Sequence, residues 1–133
     1  MTQSGGCYCG NLRYEIDGEA LFKGQCHCRE CQYISGGGPN YFALMPGESF
    51  RWTKGASNSF TRSDIENPVT RDFCPKCGTH IVTRRRGQAV LKVGTLDNPA
   101  WYQGPTAAIH CADKQPFHVI SGDVATFDRL PPR

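Results

Sequence analysis

Seven of the eight cysteines in this 133-residue chain lie in three short groups, and this spacing constrains the fold more than any other feature. The groups are Cys7 with Cys9, then Cys26, Cys28 and Cys31, then Cys74 with Cys77. A secreted chain could use so many cysteines for disulfides, but the N-terminus has neither a basic region nor an apolar stretch. We therefore expect a cytoplasmic protein whose thiols stay reduced and bind metal.

The two outer pairs together offer four thiolates, the number that a closed structural zinc site requires. In the second pair, Pro75 and Gly78 favour the tight turn that lets both sulfurs bind one ion. The first pair can reach the same ion on a bent strand that Gly10 relieves. The alternative is two unrelated pairs, one of them redox-active, but no adequate helix is predicted after Cys77 for a thioredoxin-like site.

The central triplet, Cys26, Cys28 and Cys31, supplies three soft ligands, so its chemistry depends on the fourth position. A fourth ligand from His27 or Cys111 would make the site closed and structural. His27 lies between two ligands, so its side chain should point away from the metal, and Cys111 lies in an apolar run typical of a small buried residue. We therefore predict a second zinc site that is open to water or substrate.

The charge of such an open site decides what it can do. Three thiolates on Zn²⁺ leave one net negative charge, which makes the ion a weak activator of water. The same ion can accept a fourth sulfur and hold it as thiolate near neutral pH. The triplet is therefore predicted to be catalytic through its zinc, with a thiol substrate rather than a hydrolytic reaction.

Length and charge limit the other classes of protein. The chain is long enough for one domain, over residues 1–133, and no apolar run is long enough to cross a bilayer. The formal net charge of +3 suits a small acidic ligand or a phosphate but is too small to predict nucleic-acid binding. Oligomeric state and substrate identity are left open by these features.

The chain is predicted to be mainly β, with short antiparallel strands and long loops pinned by zinc, because short alternating segments are cut by Gly, Pro, Asn and Asp. The predicted strands cover residues 12–17, 21–25, 41–45, 49–53, 59–62, 70–73, 80–84, 88–93 and 117–120. Helical periodicity is weak and predicts only a short helix over residues 29–34 and a single turn over residues 98–102.

The chain contains four motifs: Gly6-Cys7-x-Cys9-Gly10, Cys26-His27-Cys28-x-x-Cys31-Gln32, Ser35-Gly36-Gly37 and Phe73-Cys74-x-x-Cys77-Gly78-Thr79. They resemble the glutathione-dependent formaldehyde-activating enzyme family, also called the centromere protein V/GFA family, and Asp113 to Phe117 resembles a further segment of that family. Ala108 stands where a histidine is common, and Phe117 replaces the usual tryptophan.

The resemblance implies an Mss4-like fold and two zinc ions per chain. It implies that a structural zinc is held by Cys7, Cys9, Cys74 and Cys77, and a second zinc by Cys26, Cys28 and Cys31. It also implies a carbon–sulfur lyase of the kind that joins glutathione and formaldehyde into S-hydroxymethylglutathione.

The leading hypothesis is an enzyme acting on a thiol, such as glutathione, or on a thiol adduct. His27 could relay a proton, and Ser35 with residues 36–38 could offer a hydroxyl and backbone amides. Arg71 and the run of residues 84–86 could hold substrate carboxylates, although solvated surface roles are common for such residues. The alternatives are a zinc-stabilised module that binds protein or nucleic acid through the arginine run, and a redox or zinc-storage protein.

Overall fold

The computed structural model describes residues 1–132, which form eleven β-strands in two sheets, one α-helix and four short 3₁₀ helices. The strands are β1 (Thr2–Gly6), β2 (Arg13–Asp17), β3 (Phe22–Cys26), β4 (Asn40–Pro46), β5 (Phe50–Lys54), β6 (Asn58–Thr61), β7 (Thr70–Phe73), β8 (His80–Arg85), β9 (Gln88–Lys92), β10 (Ala107–Ile109) and β11 (Ala125–Thr126). The α-helix is α1 (Arg29–Ser35), and the 3₁₀ helices are Gly47–Ser49, Val93–Thr95, Pro99–Tyr102 and Cys111–Asp113. No helix in this part of the chain is long and apolar enough to cross a membrane.

The smaller sheet has the strand order β1-β2-β5, and the larger has the order β11-β10-β3-β4-β9-β8-β7-β6. The larger sheet is antiparallel from β3 to β6 but parallel where β10 joins β3 and β11. In the parallel pair, Ala107 lies opposite Gly24 and Ile109 lies opposite Cys26. The C-terminal part of the chain is thereby brought beside the first cysteine of the triplet.

Eight of the predicted strands are confirmed, with each end within one residue of the prediction. These strands could be predicted because buried and exposed residues alternate along them. In β2, for example, Tyr14 and Ile16 are buried while their neighbours are partly exposed. The predicted helix is α1, and the predicted turn is the 3₁₀ helix Pro99–Tyr102.

The ninth predicted strand, over residues 117–120, is wrong: this segment belongs to none of the eleven strands found within residues 1–132. Its alternation is real, since Phe117 is 71% and Val119 is 82% exposed while His118 between them is buried. His118 is buried through side-chain contacts made by a loop, so the pattern does not reflect a ladder of backbone hydrogen bonds. Three further strands, β1, β10 and β11, were not predicted from the sequence.

The main apolar core joins the two sheets. Tyr14 and Ile16 of β2 belong to the same buried cluster as Met45 of β4 and Leu91 of β9. Gly5 of β1 makes room for this packing, since a Cβ there would lie 2.5 Å from Cζ of Tyr14. Burying side chains of this size contributes about 1.5–3 kcal/mol each.

The opposite face of the larger sheet carries a second, smaller apolar cluster. Because side chains alternate along β4, Ala43 and Met45 join the main core while Phe42 and Leu44 point to the other face. The buried members of the small cluster are Cys26, Cys31, Phe42 and Ile109. Two cysteines of the triplet therefore belong to this cluster and not to the main core.

Candidate metal centres

The outer cysteines converge on one point, although two of them are more than 60 residues from the others. Sγ of Cys9 lies 3.7 Å from Sγ of Cys7 and 3.8 Å from Sγ of Cys74, and Cys77 completes a group whose atoms all lie within 4.8 Å of one another. A tetrahedral zinc with Zn–S bonds of about 2.3 Å needs sulfurs about 3.8 Å apart. The four thiols therefore fit a closed zinc site.

Backbone amides and two turns shape this four-cysteine group. Gly10 and Gly78 follow their cysteine pairs with φ values of +81° and +77°, which L side chains rarely adopt. In the turn after Cys74, the amide of Lys76 donates to Sγ of Cys74 at 3.4 Å. Similarly, the amide of Leu12 donates to Sγ of Cys7 at 3.2 Å. Donors of this kind stabilise thiolates and therefore favour metal binding.

The contacts of Cys77, the exposed cysteine of the second pair, also favour its thiolate form. The Thr79 hydroxyl lies 3.1 Å from Sγ of Cys77 and lowers the pKa of Cys77 to about 5. Thr79 also accepts a hydrogen bond from the amide of Tyr8 at 3.1 Å, which links the two cysteine pairs without metal.

The triplet is built at the junction between β3 and α1. Cys26 ends β3, Cys28 is the N-cap of α1, and Cys31 lies in the first turn of the helix. Sγ of Cys28 accepts a hydrogen bond from the amide of Cys31 at 3.4 Å, so a ligand of the candidate site also caps the helix. Hydrogen bonds from the neighbouring thiols lower the pKa of Cys28, and its contact with Cys26 raises the pKa of Cys26.

The three sulfurs lie within 4.8 Å of one another, and within residues 1–132 no other cysteine, histidine or carboxylate joins them. A set of three converging thiols suits a soft metal such as zinc. The donor count agrees with the expectation of a site that leaves one coordination position to a ligand from outside the chain.

His27 is turned away from the triplet and completely buried. Its Nδ1 lies 3.0 Å from Nδ1 of His118, and its Nε2 lies 3.0 Å from Nε2 of Gln25. Nε2 of His118 contacts the carbonyl of Gly37 at 2.7 Å. When both histidines are neutral, His118 donates to Gly37 and Gln25 donates to His27. Nδ1 of His118 then accepts from His27 and also from the amide of Gln115 at 3.1 Å.

This network explains what His27 does in the fold. Burial lowers the pKa of His27, so the neutral form is favoured. The His27 carbonyl also accepts from Nε2 of Gln32 at 2.9 Å, so both parts of the residue fix the loop that carries Cys26 and Cys28. Sequence reasoning missed His118 because its partner lies 91 residues away and no local pattern links them.

Cys111 lies outside both cysteine groups. It is half-buried in the 3₁₀ helix Cys111–Asp113, and its thiol contacts the carbonyl of Ala108 at 3.5 Å. It is therefore less buried than the apolar run predicted.

A cavity of about 350 Å³ lies beside the triplet and is lined by Cys26 and Cys31. A second cavity of about 520 Å³ lies next to it, and both are lined by Asn40 and Lys92. Each is of a size typical of small-molecule sites. The ligand position predicted on the triplet is thus accompanied by room for a substrate.

The lysine shared by the two cavities has unusual surroundings. Lys92 is only 8% exposed, and burial lowers its pKa to about 8. Arg71 also lines the smaller cavity but is engaged, since it donates to Oε2 of Glu30 at 2.9 Å and to the Thr83 hydroxyl at 3.4 Å.

The arginine run of residues 84–86 is divided by the alternation of β8. Arg85 lines the smaller cavity, whereas Arg84 pairs with the buried carboxylate of Asp72 at 2.7 Å. Arg86 donates to Oδ1 of Asn67 at 3.1 Å. All three arginines line a further cavity of about 560 Å³, together with Phe50 and Trp52, and only Arg85 also lines the cavity beside the triplet.

The serine and glycine segment after α1 is a turn rather than part of the triplet. The Ser35 hydroxyl donates to the carbonyl of Gly38, and Ser35 lines the larger cavity. Gly36 ends the helix with φ of +85°, and Gly37 supplies the carbonyl that holds His118.

Comparison with solved structures supports the fold. The chain is similar to a Rhodobacter sphaeroides protein of known crystal structure, with a TM-score of 0.58 and 22% sequence identity. The similarity covers 71% of this chain and 87% of that one.

Comparison with protein families gives a more specific result. The model of the family described as "Glutathione-dependent formaldehyde-activating enzyme" matches residues 2–113. The matched range contains the seven cysteines of both candidate centres. The mainly β, Mss4-like fold expected from the resemblance is confirmed, and the chain belongs to the glutathione-dependent formaldehyde-activating enzyme family.

Proposed function

We propose that this protein is a zinc-dependent carbon–sulfur lyase that acts on a thiol or a thiol adduct. The first zinc would be held by the four outer cysteines and would be structural. The second would be held by Cys26, Cys28 and Cys31 and would be catalytic. The observation that carries the proposal is the set of three converging thiols, with no fourth protein donor within residues 1–132, beside a cavity.

When bound to three thiolates, zinc would accept the substrate sulfur as a fourth ligand and keep it deprotonated. The chain supplies the geometry for this, because Cys26 and Cys31 face the cavity while Cys28 is fixed at the helix cap. The apolar residues around Cys26 limit the access of water to the same place.

The proposed addition balances without another reactant. The substrate sulfur gives an electron pair to the carbon of a small aldehyde, a C–S bond forms, and the carbonyl oxygen takes up the proton that the thiol loses. Glutathione and formaldehyde are the pair that the family name suggests. His27 is buried against His118, so in this proposal it positions the cysteine loop rather than relaying the proton.

The proposal also has consequences for partners and location. The partner is a small thiol, and reduced cysteines require a reducing compartment such as the cytoplasm.

Zinc content and zinc-edge X-ray absorption test the proposal. We expect two zinc ions per chain and an average of about 3.5 sulfur ligands per zinc, rising to about 4 when glutathione or another thiol is added. Cys28→Ser should leave one zinc per chain and remove the response to thiols. A sulfur count that stays constant with every thiol tried would refute the proposed chemistry.

A further inference from the structure

The cavity beside the triplet has a wall that is unusually apolar for a site that would bind glutathione. Its apolar lining includes Phe22, Phe42, Leu44, Val90 and Ile109. Period-2 alternation along β3, β4 and β9 places the first four of these on the same face of the sheet as Cys26. Phe22, Leu44 and Val90 are only partly buried, so the small cluster is left incomplete on the side of the cavity.

The shape of this wall depends on one glycine. Gly24 lies opposite Phe42 in the β3–β4 ladder, and a Cβ there would lie 2.6 Å from Cε1 of Phe42 and 2.8 Å from Cε2 of Phe22. The absence of a side chain at residue 24 therefore lets both rings lie against β3. The two rings lie 5.9 Å apart, tilted by 47° to each other, in the same cluster as Cys26.

The remaining lining residues give the cavity an excess of positive charge. Glu30 is the one acidic side chain in the lining, and it is already shared by Arg71 at 2.9 Å and Arg62 at 3.5 Å. Lys92 is only 8% exposed, and its ammonium forms no hydrogen bond or ion pair within residues 1–132. Arg85 adds an exposed cation. The Lys92 ammonium keeps contact with solvent, since no fully buried side-chain nitrogen in this part of the chain lacks a partner. An anionic ligand in the cavity would replace that solvent and pair with the ammonium, so the cavity is suited to such a ligand.

We propose, on the basis of the function proposed above, that the preferred substrate is an amphipathic acid thiol rather than glutathione. Its sulfur would join Cys26, Cys28 and Cys31, its carboxylate would pair with Lys92, and its aromatic or branched body would pack on the apolar wall. Lys92, Cys26 and Cys31 line the same cavity of about 350 Å³, so one small ligand can present its sulfur to the triplet and its carboxylate to the lysine.

Glutathione fits this cavity poorly for a physical reason. It carries two carboxylates, an ammonium group and two peptide groups. Packing such a molecule against Phe22, Phe42 and Leu44 would remove polar groups from water without giving them partners. A 2-sulfanyl acid with a phenyl ring has only one anion and an apolar remainder, and a cavity of about 350 Å³ has room for a molecule of that size.

Lys92 has an alternative role that the test must separate. The ammonium could neutralise the negative charge of a metal site with four thiolates, in which case it would help every thiol equally. A carboxylate partner predicts instead that Lys92 matters only for acids. The comparison of an acid thiol with a neutral thiol therefore distinguishes the two roles.

Calorimetric titration of the zinc-loaded protein tests the proposal with three thiols: 3-phenyl-2-sulfanylpropanoate, 2-phenylethanethiol and glutathione. We expect the phenyl acid to bind at least about tenfold more tightly than either of the others, a difference of about 1.4 kcal/mol. Lys92→Met should remove the advantage of the acid over 2-phenylethanethiol and leave the latter within about twofold. Lys114→Met makes the same change at an exposed lysine that lines neither cavity and should leave the affinities for all three thiols unchanged.

The outcomes separate this inference from the proposed function. Glutathione binding as tightly as the phenyl acid would overturn the inference and leave the thiol chemistry intact. Equal weakening of both phenyl thiols by Lys92→Met would overturn the carboxylate pairing. Binding of 3-phenylpropanoate, which has no sulfur, by a protein whose zinc never gains a sulfur ligand would support the cavity assignment and refute the proposed chemistry. The comparison of the three thiols on the unmodified protein tests the preference for the acid thiol even if Lys92→Met does not fold.

Discussion

Replacing Cys74 by serine should unfold the protein, whereas replacing Cys28 by serine should not. Cys74 is completely buried in the main core, its sulfur lies 3.8 Å from that of Cys9, and it accepts from the amides of Lys76 and Cys77 at 3.4 and 3.5 Å. Serine has a shorter bond to a harder oxygen that binds zinc poorly. The substitution therefore removes one of the four proposed ligands of a closed site.

The size of the effect follows from the topology. The four-cysteine group joins the first strand region to the β7–β8 turn, so metal binding there is coupled to folding of more than half of the chain. Structural zinc contributes on the order of 10 kcal/mol to folding, and a whole domain has a net stability of about 5–15 kcal/mol. Losing most of the zinc contribution should leave Cys74→Ser unfolded without denaturant.

Cys28 differs because its two structural roles can be separated. Its sulfur caps α1 by accepting from the amide of Cys31, and serine is itself a preferred N-cap residue. It packs against the small cluster rather than the main core. We therefore expect Cys28→Ser to lose one zinc, to stay folded and to have a free energy of unfolding within about 2 kcal/mol of the unmodified protein.

Urea unfolding followed by the fluorescence of Trp52 and Trp101, together with zinc counts, tests both expectations. Cys111→Ser is the matched control, since Cys111 lies outside both groups and should leave the zinc content and the unfolding midpoint unchanged. The reasoning is refuted if Cys74→Ser unfolds at the midpoint of the unmodified protein. It is also refuted if Cys28→Ser is as unstable as Cys74→Ser.

Three further predictions follow from individual contacts. Gly24→Ala should push the ring of Phe42 into the cavity, so it should weaken thiol binding measured by calorimetry and lower the free energy of unfolding by about 1–3 kcal/mol. His118→Ala should lower the free energy of unfolding measured in urea by about 1–3 kcal/mol, because Nδ1–H of His27 is left buried without an acceptor. Burial lowers the pKa of His80 from 6.5 to about 4, so the unfolded chain binds more protons in this range and stability falls as the pH falls from 6.5 towards 4. Over that pH range, the free energy of unfolding of His80→Gln, measured in urea, should fall less than that of the unmodified protein. The two proteins are titrated in parallel because acid-induced loss of zinc would affect both.

The sequence was sufficient for features that depend on local patterns. Alternation located β2 because the strand has one buried face, and the turn-forming Pro75 and Gly78 indicated how the second cysteine pair closes. The grouping of Cys7 and Cys9 with that pair was predicted from the number of ligands, the bend at Gly10 and the family resemblance, and the structure brings the four sulfurs together.

The features that were missed depend on contacts between distant residues. β1 has the sequence Thr-Gln-Ser-Gly-Gly, which has weak strand propensity, and it is a strand because Gly5 lets Tyr14 pack closely against it. β10 pairs in parallel with β3, a contact that brings together segments some 80 residues apart in sequence. The cavity wall was missed for the same reason, since it combines residues of several strands whose neighbours in the sheet cannot be read from one segment.

The separation of the two cysteine groups between two apolar clusters has a consequence for chemistry. A site whose metal holds the main core together cannot change its ligands without risk to the fold. The four-cysteine group, with Cys7 and Cys74 in that core, would be such a site with its proposed zinc bound. The triplet lies on the other face of the larger sheet, where Cys26 and Cys31 pack in a small cluster that is open to a cavity. Gaining or losing an external sulfur there changes contacts within the small cluster and not within the main core. The fold therefore permits ligand exchange at the triplet while the main core and the proposed structural zinc stay unchanged.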